Sequence, residues 1–231
     1  KYDIKGVLGT AVDCHETVAV VARHLRLPGI DPKISKICRY KIETRRVLAR
    51  AGIPQPAFRH VRTLAELKMA VKEIGLPAAI KATNNSGSRG FGAIHKMSDA
   101  TMDLLDEALK SGTTGYAIVE QLLIPVENEI AEQSVETIWY NGKMYWLNWV
   151  DRLFRKDFKQ FKNLESIGKK LYGSIGWGVE IGHINPAIHG DALKKEVVDM
   201  VYEAGKAIGM HKQKGGHILK IDIMLTKKGP Y

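Results

Sequence analysis

Apolar positions recur along this chain with two periods, and the switches between them predict its elements. Val18, Val21, Ala22 and Leu25 fall at helical spacing within 16–26, and Pro28-Gly29 stops the run. Asp31-Pro32 opens a short helical turn. Helical spacing returns over 41–51 (Ile42, Val47, Leu48) and ends at Gly52, with Pro54 just beyond. Thr63 caps a helix reaching about Ile74, with Glu66 at capping-box distance and Gly75 and Pro77 behind it. Two further amphipathic helices are predicted at 98–110 and 191–208. Strands are expected at 4–8, 57–61, 78–81, 116–123, 129–140, 143–150, 177–182 and 218–226. Asn141-Gly142 reads as a hairpin turn, and Pro230-Tyr231 opens one more strand. Residues 151–176 read as basic and irregular. Antiparallel hairpins with intervening helices make α+β the expected class.

One stretch interrupts this pattern in a way that carries chemistry. The apolar run Ala78-Ala79-Ile80 ends in Lys81, and a loop of small polar residues and glycines follows (Ser86-Gly87-Ser88-Arg89-Gly90) before Ala93-Ile94 resumes an apolar pattern. Glycines let backbone N–H groups approach an anion, Ser86, Ser88 and Arg89 add donors, and a strand holds Lys81 beneath them. A polyphosphate suits that set; an ordinary mobile surface hairpin is the competing reading. A P-loop would need Gly-Lys-Ser/Thr opening a helix, and a dinucleotide fingerprint would need Gly-x-Gly-x-x-Gly; neither is present in this stretch.

Composition narrows the partners. The 231 residues are 45% hydrophobic and 26% charged, the balance of a globular chain with a proper core. No apolar run reaches the ~18 residues that a membrane helix needs. The formal net charge of +10 raises nucleic acid as a partner, but the basic residues are interleaved with acids and form no block. Anionic small molecules account for the excess equally well, so neither nucleic acid nor membrane is expected. Cys14 and Cys38 stand far apart with no CxxC, which fits a reducing cytoplasm and argues against a zinc site. Asp222 lies inside an apolar strand, where a carboxylate must be paired, hydrogen-bonded or metal-bound.

Taken in order, several segments resemble the ATP-grasp superfamily, in its carboxylate–amine ligase and carbamoyl-phosphate-synthase-like branch. Lys41-Ile42-Glu43-Thr44-Arg45 with Ala51-Gly52-Ile53-Pro54-Gln55-Pro56 is similar to the entry to that fold. Ile74-Gly75-Leu76-Pro77 leading to Lys81, and Ser86 to Gly90, resemble its lysine strand and flexible loop. Ile118 to Leu123 resembles the hinge, and Glu132-Gln133-Ser134-Val135-Glu136 a strand of the larger subdomain. Glu180 to Ala187 is similar to a glycine-histidine segment of the ligase branch, and Ile221 to Tyr231 to the metal-bearing strand.

The resemblance implies two α+β subdomains that clasp ATP, with 41–122 as entry helix and lid, 123–231 as the larger subdomain, and 1–40 as the end of a preceding α/β domain. It implies that the chain is truncated at both ends. Lys41 and Lys81 would neutralise phosphates, and Ser86, Gly87, Ser88, Arg89 and Gly90 would close over them, with Lys81 and Arg89 acting in catalysis. Backbone of Glu120, Gln121, Leu122 and Leu123 would hold adenine, with Glu120 near base and ribose, and Asp222 would hold Mg²⁺ or Mn²⁺. The segment between Glu120 and Glu132 is about four residues longer than usual, so Glu127, Glu129 and Glu132 all stay candidates for the ribose. The superfamily's second metal glutamate and its asparagine would follow Tyr231, so residues 1–231 are not expected to be active by themselves. The implied activity is ATP-dependent amide-type ligation of a small carboxylate and an amine. The alternatives are a bicarbonate-using carboxylase or carbamoyl-phosphate-synthase-like enzyme, and a non-catalytic ATP-binding module. A homodimer is compatible with all three.

Overall fold

A computed structural model describes residues 2–10, 13–127, 129–154, 157 and 180–231. Three helices come first: α1 (His15–His24), α2 (Pro32–Arg39) and α3 (Lys41–Arg50). Asp31 caps α2, its carboxylate accepting from the Lys33 N–H at 2.8 Å, so the expected turn is a full two-turn helix. The expected strand at 4–8 is a correction. Residues 2–10 have no regular secondary structure, and Tyr2, Ile4 and Leu8 are exposed. A strand needs a neighbour to complete its ladder, and these residues have none among the described ones.

The first sheet is built from β1 (Phe58–Val61), β2 (Ala78–Ala82), β3 (Gly92–Ile94) and β4 (Ala117–Gln121), in the order β1-β4-β2-β3 and antiparallel throughout. Helices α4 (Leu64–Ile74) and α5 (Ala100–Lys110) cover one face of it. Thr63 and Glu66 form the expected capping box at the start of α4. Leu67, Ala70 and Val71 of α4 and Leu105 and Ala108 of α5 pack on Ala78, Ile80, Ala117 and Val119. Because side chains alternate along a strand, burying these positions turns Ala79, Lys81, Ile118 and Glu120 to the opposite face.

The second sheet contains β5 (Glu132–Tyr140), β6 (Lys143–Phe154), β7 (Glu180–Ile184), β8 (Gly216–Thr226) and the short β9 (Gly229–Pro230), in the order β7-β6-β5-β8-β9. Both Asn141 (φ 48°) and Gly142 (φ 81°) take positive φ, as the two-residue turn between β5 and β6 requires. Strand β6 continues past Val150 to Phe154, so Asp151 to Phe154 are strand and not the irregular segment expected; residues 155–156 and 158–179 lie outside the described residues, as does the start of the strand expected at 177. The long helix α6 (Asp191–Ile208) has the predicted bounds and packs Val197 and Val201 on Val135, Trp149, Ile223 and Leu225. Near the end of α6, Ile208 meets Ile34, Trp139, Met210 and Leu219, with Val47 of α3 alongside. That third cluster fixes α2 and α3 to the second sheet, and hence places Lys41. No described helix is long and apolar enough to cross a membrane.

Candidate functional site

A cavity of about 860 Å³ is lined by residues of both sheets and of α3, at the upper end of what small-molecule sites enclose. Its wall includes Lys41, Lys81, Ser86, Gly87, Ser88, Arg89, Glu120, Gln121, Leu122, Leu123, Glu132 and Asp222, so the fold gathers residues that lie far apart in sequence.

The cationic wall is built by two elements. Lys81 points from the face of β2 that α4 and α5 leave uncovered, and Lys41 opens α3, whose first N–H is tied to the Thr83 carbonyl at 2.9 Å. The Lys41 ammonium donates to the Asn85 carbonyl at 2.6 Å, at the root of the glycine loop. Burial, reinforced by the Lys81 charge, pulls the Lys41 ammonium down to about 8; Glu120 opposes the shift but does not cancel it.

Glu120 has different neighbours from those expected. It is 1% exposed, and each carboxylate oxygen accepts one charge-assisted bond: Arg45 Nε at 2.6 Å and Lys81 Nζ at 2.6 Å. Burial favours its neutral form, but the charges of Lys81 and Arg45 and their hydrogen bonds win, holding the carboxyl well below its usual range. Both oxygens are thus engaged by protein side chains, and the residue still lines the cavity.

The loop between β2 and β3 is held from a direction the sequence did not indicate. Ser86 Oγ donates to Asp13 at 2.6 Å, and Arg89 and Arg39 both reach the same carboxylate at 3.5 Å. The Ser86 hydrogen bond, with Arg39 and Arg89 behind it, lowers the Asp13 pKa. Gly87 and Ser88 lie on the cavity wall, whereas Gly90 packs against Ser111 and Ala108, with φ of 68°, at the turn into β3.

The opposite wall comes from one face of the second sheet. Register pairs Glu132 with Met224 and Ser134 with Asp222, so Glu132 and Asp222 share that face. Arg152 reaches Asp222 at 3.1 Å and Glu180 at 2.9 Å, and Lys220 reaches Asp222 at 2.8 Å. Burial alone would lower the Arg152 pKa, but Asp222, Glu180 and Glu132 raise it. Of the three ribose candidates, Glu132 borders the cavity; Glu127 is exposed and paired with Lys227 at 3.3 Å, and Glu129 is exposed. His183 is exposed on β7, paired in register with Arg152.

This donor set fits a magnesium nucleotide. Lysines and a hydroxyl-rich loop line one side of the cavity and would suit phosphate oxygens, and Asp222 supplies a half-exposed hard oxygen donor across it. Magnesium commonly takes one or two carboxylates and completes its shell with phosphate and water. Among the described residues no group of three or more His, Cys, Asp or Glu forms a metal centre by itself. Sequence reasoning passed over Arg45 and Asp13. Arg45 carried a usable signal, since it follows Lys41 by four positions and therefore shares its helix face; Asp13 carried none.

No family model matches the chain. An uncharacterised protein y4rH of Sinorhizobium fredii is 44% identical over 89 residues, covering 38% of this chain and 19% of that protein. An alanine–anticapsin ligase of Bacillus amyloliquefaciens is 24% identical over 202 residues, covering 84% and 40%. The chain therefore spans less than half the length of these curated relatives. An L-amino acid ligase from Bacillus licheniformis superposes with a TM-score of 0.72 at 22% identity, over 99% of this chain and 47% of that one. A biotin carboxylase from Campylobacter jejuni gives 0.72 at 17% identity, over 97% and 46%. At these identities the likeness carries the fold and leaves the substrate open, and the fold that this chain shares with both is ATP-grasp.

Proposed function

We propose that the protein is an ATP-dependent carboxylate–amine ligase, with residues 41–122 closing as a lid over 123–231. The observation that carries this reading is one cavity walled by Lys41, Lys81 and the Ser86–Arg89 loop on one side and by Glu132 and Asp222 on the other. In this reading Lys41 and Lys81 hold the phosphates. Ser86, Gly87, Ser88 and Arg89 cover the transferring group, and Gln121 to Leu123 meet the adenine. Glu132 meets the ribose, and Asp222 holds Mg²⁺ or Mn²⁺, which supplies charge neutralisation on the phosphates. A substrate carboxylate oxygen attacks the γ-phosphorus and ADP leaves. The amine then attacks the acyl carbon and phosphate leaves. Preorganised cations around the phosphates are most of what the first step asks of a protein. The substrates are small molecules, and the two free cysteines suit a cytoplasmic setting.

The fold match to a biotin carboxylase favours bicarbonate as a second reading of the acid. The full-length protein, assayed with MgATP, hydroxylamine and a panel of amino acids and small carboxylates, separates the two. Hydroxamate that depends on one acid and vanishes in Lys81→Ala supports the ligase. ADP released only with bicarbonate moves the protein to carboxylase chemistry. ATP binding without ADP release for any acid, bicarbonate included, speaks for a non-catalytic module.

A further inference from the structure

Glu120 presents an unequal arrangement of charge: one buried acid, two cations, and one hydrogen bond from each cation to a separate carboxylate oxygen. The three side chains come from three elements, Arg45 from α3, Lys81 from β2 and Glu120 from β4. The two strands pair Lys81 with Ile118 and Ala79 with Glu120, so Lys81 and Glu120 are diagonal neighbours on one sheet face. Lys81 lies 6.0 Å from the centroid of the Phe91 ring and still lines the cavity.

Consider the pair without Arg45. A buried carboxylate with one partner would draw the full attraction of Lys81, and an ammonium locked into a closed pair is poorly placed to meet a third charge. Arg45 changes that balance. Its guanidinium stays protonated at every accessible pH and takes one oxygen outright, leaving Lys81 a shared acid. The cluster then carries net positive charge and points it at the cavity.

We propose that Arg45 is a positioning residue for Lys81 that acts through Glu120: by holding one Glu120 oxygen it keeps Lys81 available to an anion in the cavity. The proposal rests on the reading of the cavity as a phosphate site. A competing role is direct contact, because Arg45 itself borders the cavity. The two differ in sign when Glu120 is neutralised. If Arg45 acts through Glu120, an uncharged residue at 120 releases Lys81 and suppresses the loss of Arg45. If Arg45 touches the ligand directly, the losses add.

The experiment titrates the full-length protein with MgADP by calorimetry. Arg45→Met is expected to weaken binding about tenfold, the scale of one charge-assisted bond. Arg45→Lys is expected to stay within about threefold of the native protein. Glu120→Gln added to Arg45→Met is expected to restore most of the loss. A double variant no tighter than Arg45→Met overturns the proposal. A second readout needs no nucleotide: the acylation rate of Lys81 by an amine reagent, followed by mass spectrometry against the exposed Lys68. It is expected to slow in Arg45→Met and to recover in the double variant; unchanged labelling also overturns the proposal. If Arg45→Met fails to fold, Arg45→Gln, a donor without the charge, carries the same comparison. A native protein that does not bind MgADP refutes the phosphate-site reading, while the labelling result still decides the coupling.

Discussion

Raising the pH from 7 to 9 should weaken ATP binding and stabilise the fold at the same time, and Lys41 is the reason. Its ammonium is pulled from 10.5 down to about 8, first by burial and then by the neighbouring Lys81 charge. The unfolded chain keeps the proton up to about 10.4, so between about 8 and 10.4 the unfolded state binds more protons than the folded one. Stability attributable to this residue therefore rises with pH across that window. Below it both states are charged, and burial together with the neighbouring cations costs the folded state on the order of 3 kcal/mol. Binding runs the other way, because a phosphate needs the charged form. At pH 9 about one Lys41 in eleven is charged in the free protein, so the Kd for a non-hydrolysable MgATP analogue should rise about tenfold relative to pH 7, near 1.4 kcal/mol. Phosphate protons titrate near pH 6 and do not enter the window. Calorimetric titration of the full-length protein from pH 6.5 to 9.5 reads the binding arm. Lys41→Arg, charged throughout, should flatten it. A Kd that stays flat to pH 9.5 in the native protein, or that rises equally in Lys41→Arg, would refute the assignment of Lys41 to the phosphates.

Two further outcomes test the architecture. Asp13→Asn removes the charge that Arg39 and Arg89 share at the Ser86 loop, and amide hydrogen exchange across 86–91 should quicken; unchanged exchange would show that Asp13 does not hold the loop. Gly205→Ala places a Cβ against the fully buried ring of Trp139, and overpacking of this kind costs about 1–3 kcal/mol, so the thermal midpoint should fall by several degrees without loss of secondary structure by circular dichroism.

The local elements were written in the sequence because their causes are local. The Thr63–Glu66 box, the Asn141-Gly142 turn and the apolar stripe of 191–208 each depend on neighbours within a few residues, and each stands where it was expected. The lysine strand and its loop were legible for the same reason: a short apolar run followed by small polar residues and glycines marks β2, the loop and the return into β3. The pairing of charges was not local. Glu120 finds Arg45 across 75 positions and Lys81 across 39, Asp222 finds Arg152 on another strand of the same sheet, and Asp13 reaches Ser86 across 73. The apolar strand around Asp222 showed that it needed a partner, but nothing in the sequence named the partner of any of these acids. Which cation satisfies which acid is set by strand register and by the cluster that fixes α3 to the second sheet, so only the tertiary structure shows that Arg45 and Lys81 hold Glu120 while Arg152 and Lys220 hold Asp222.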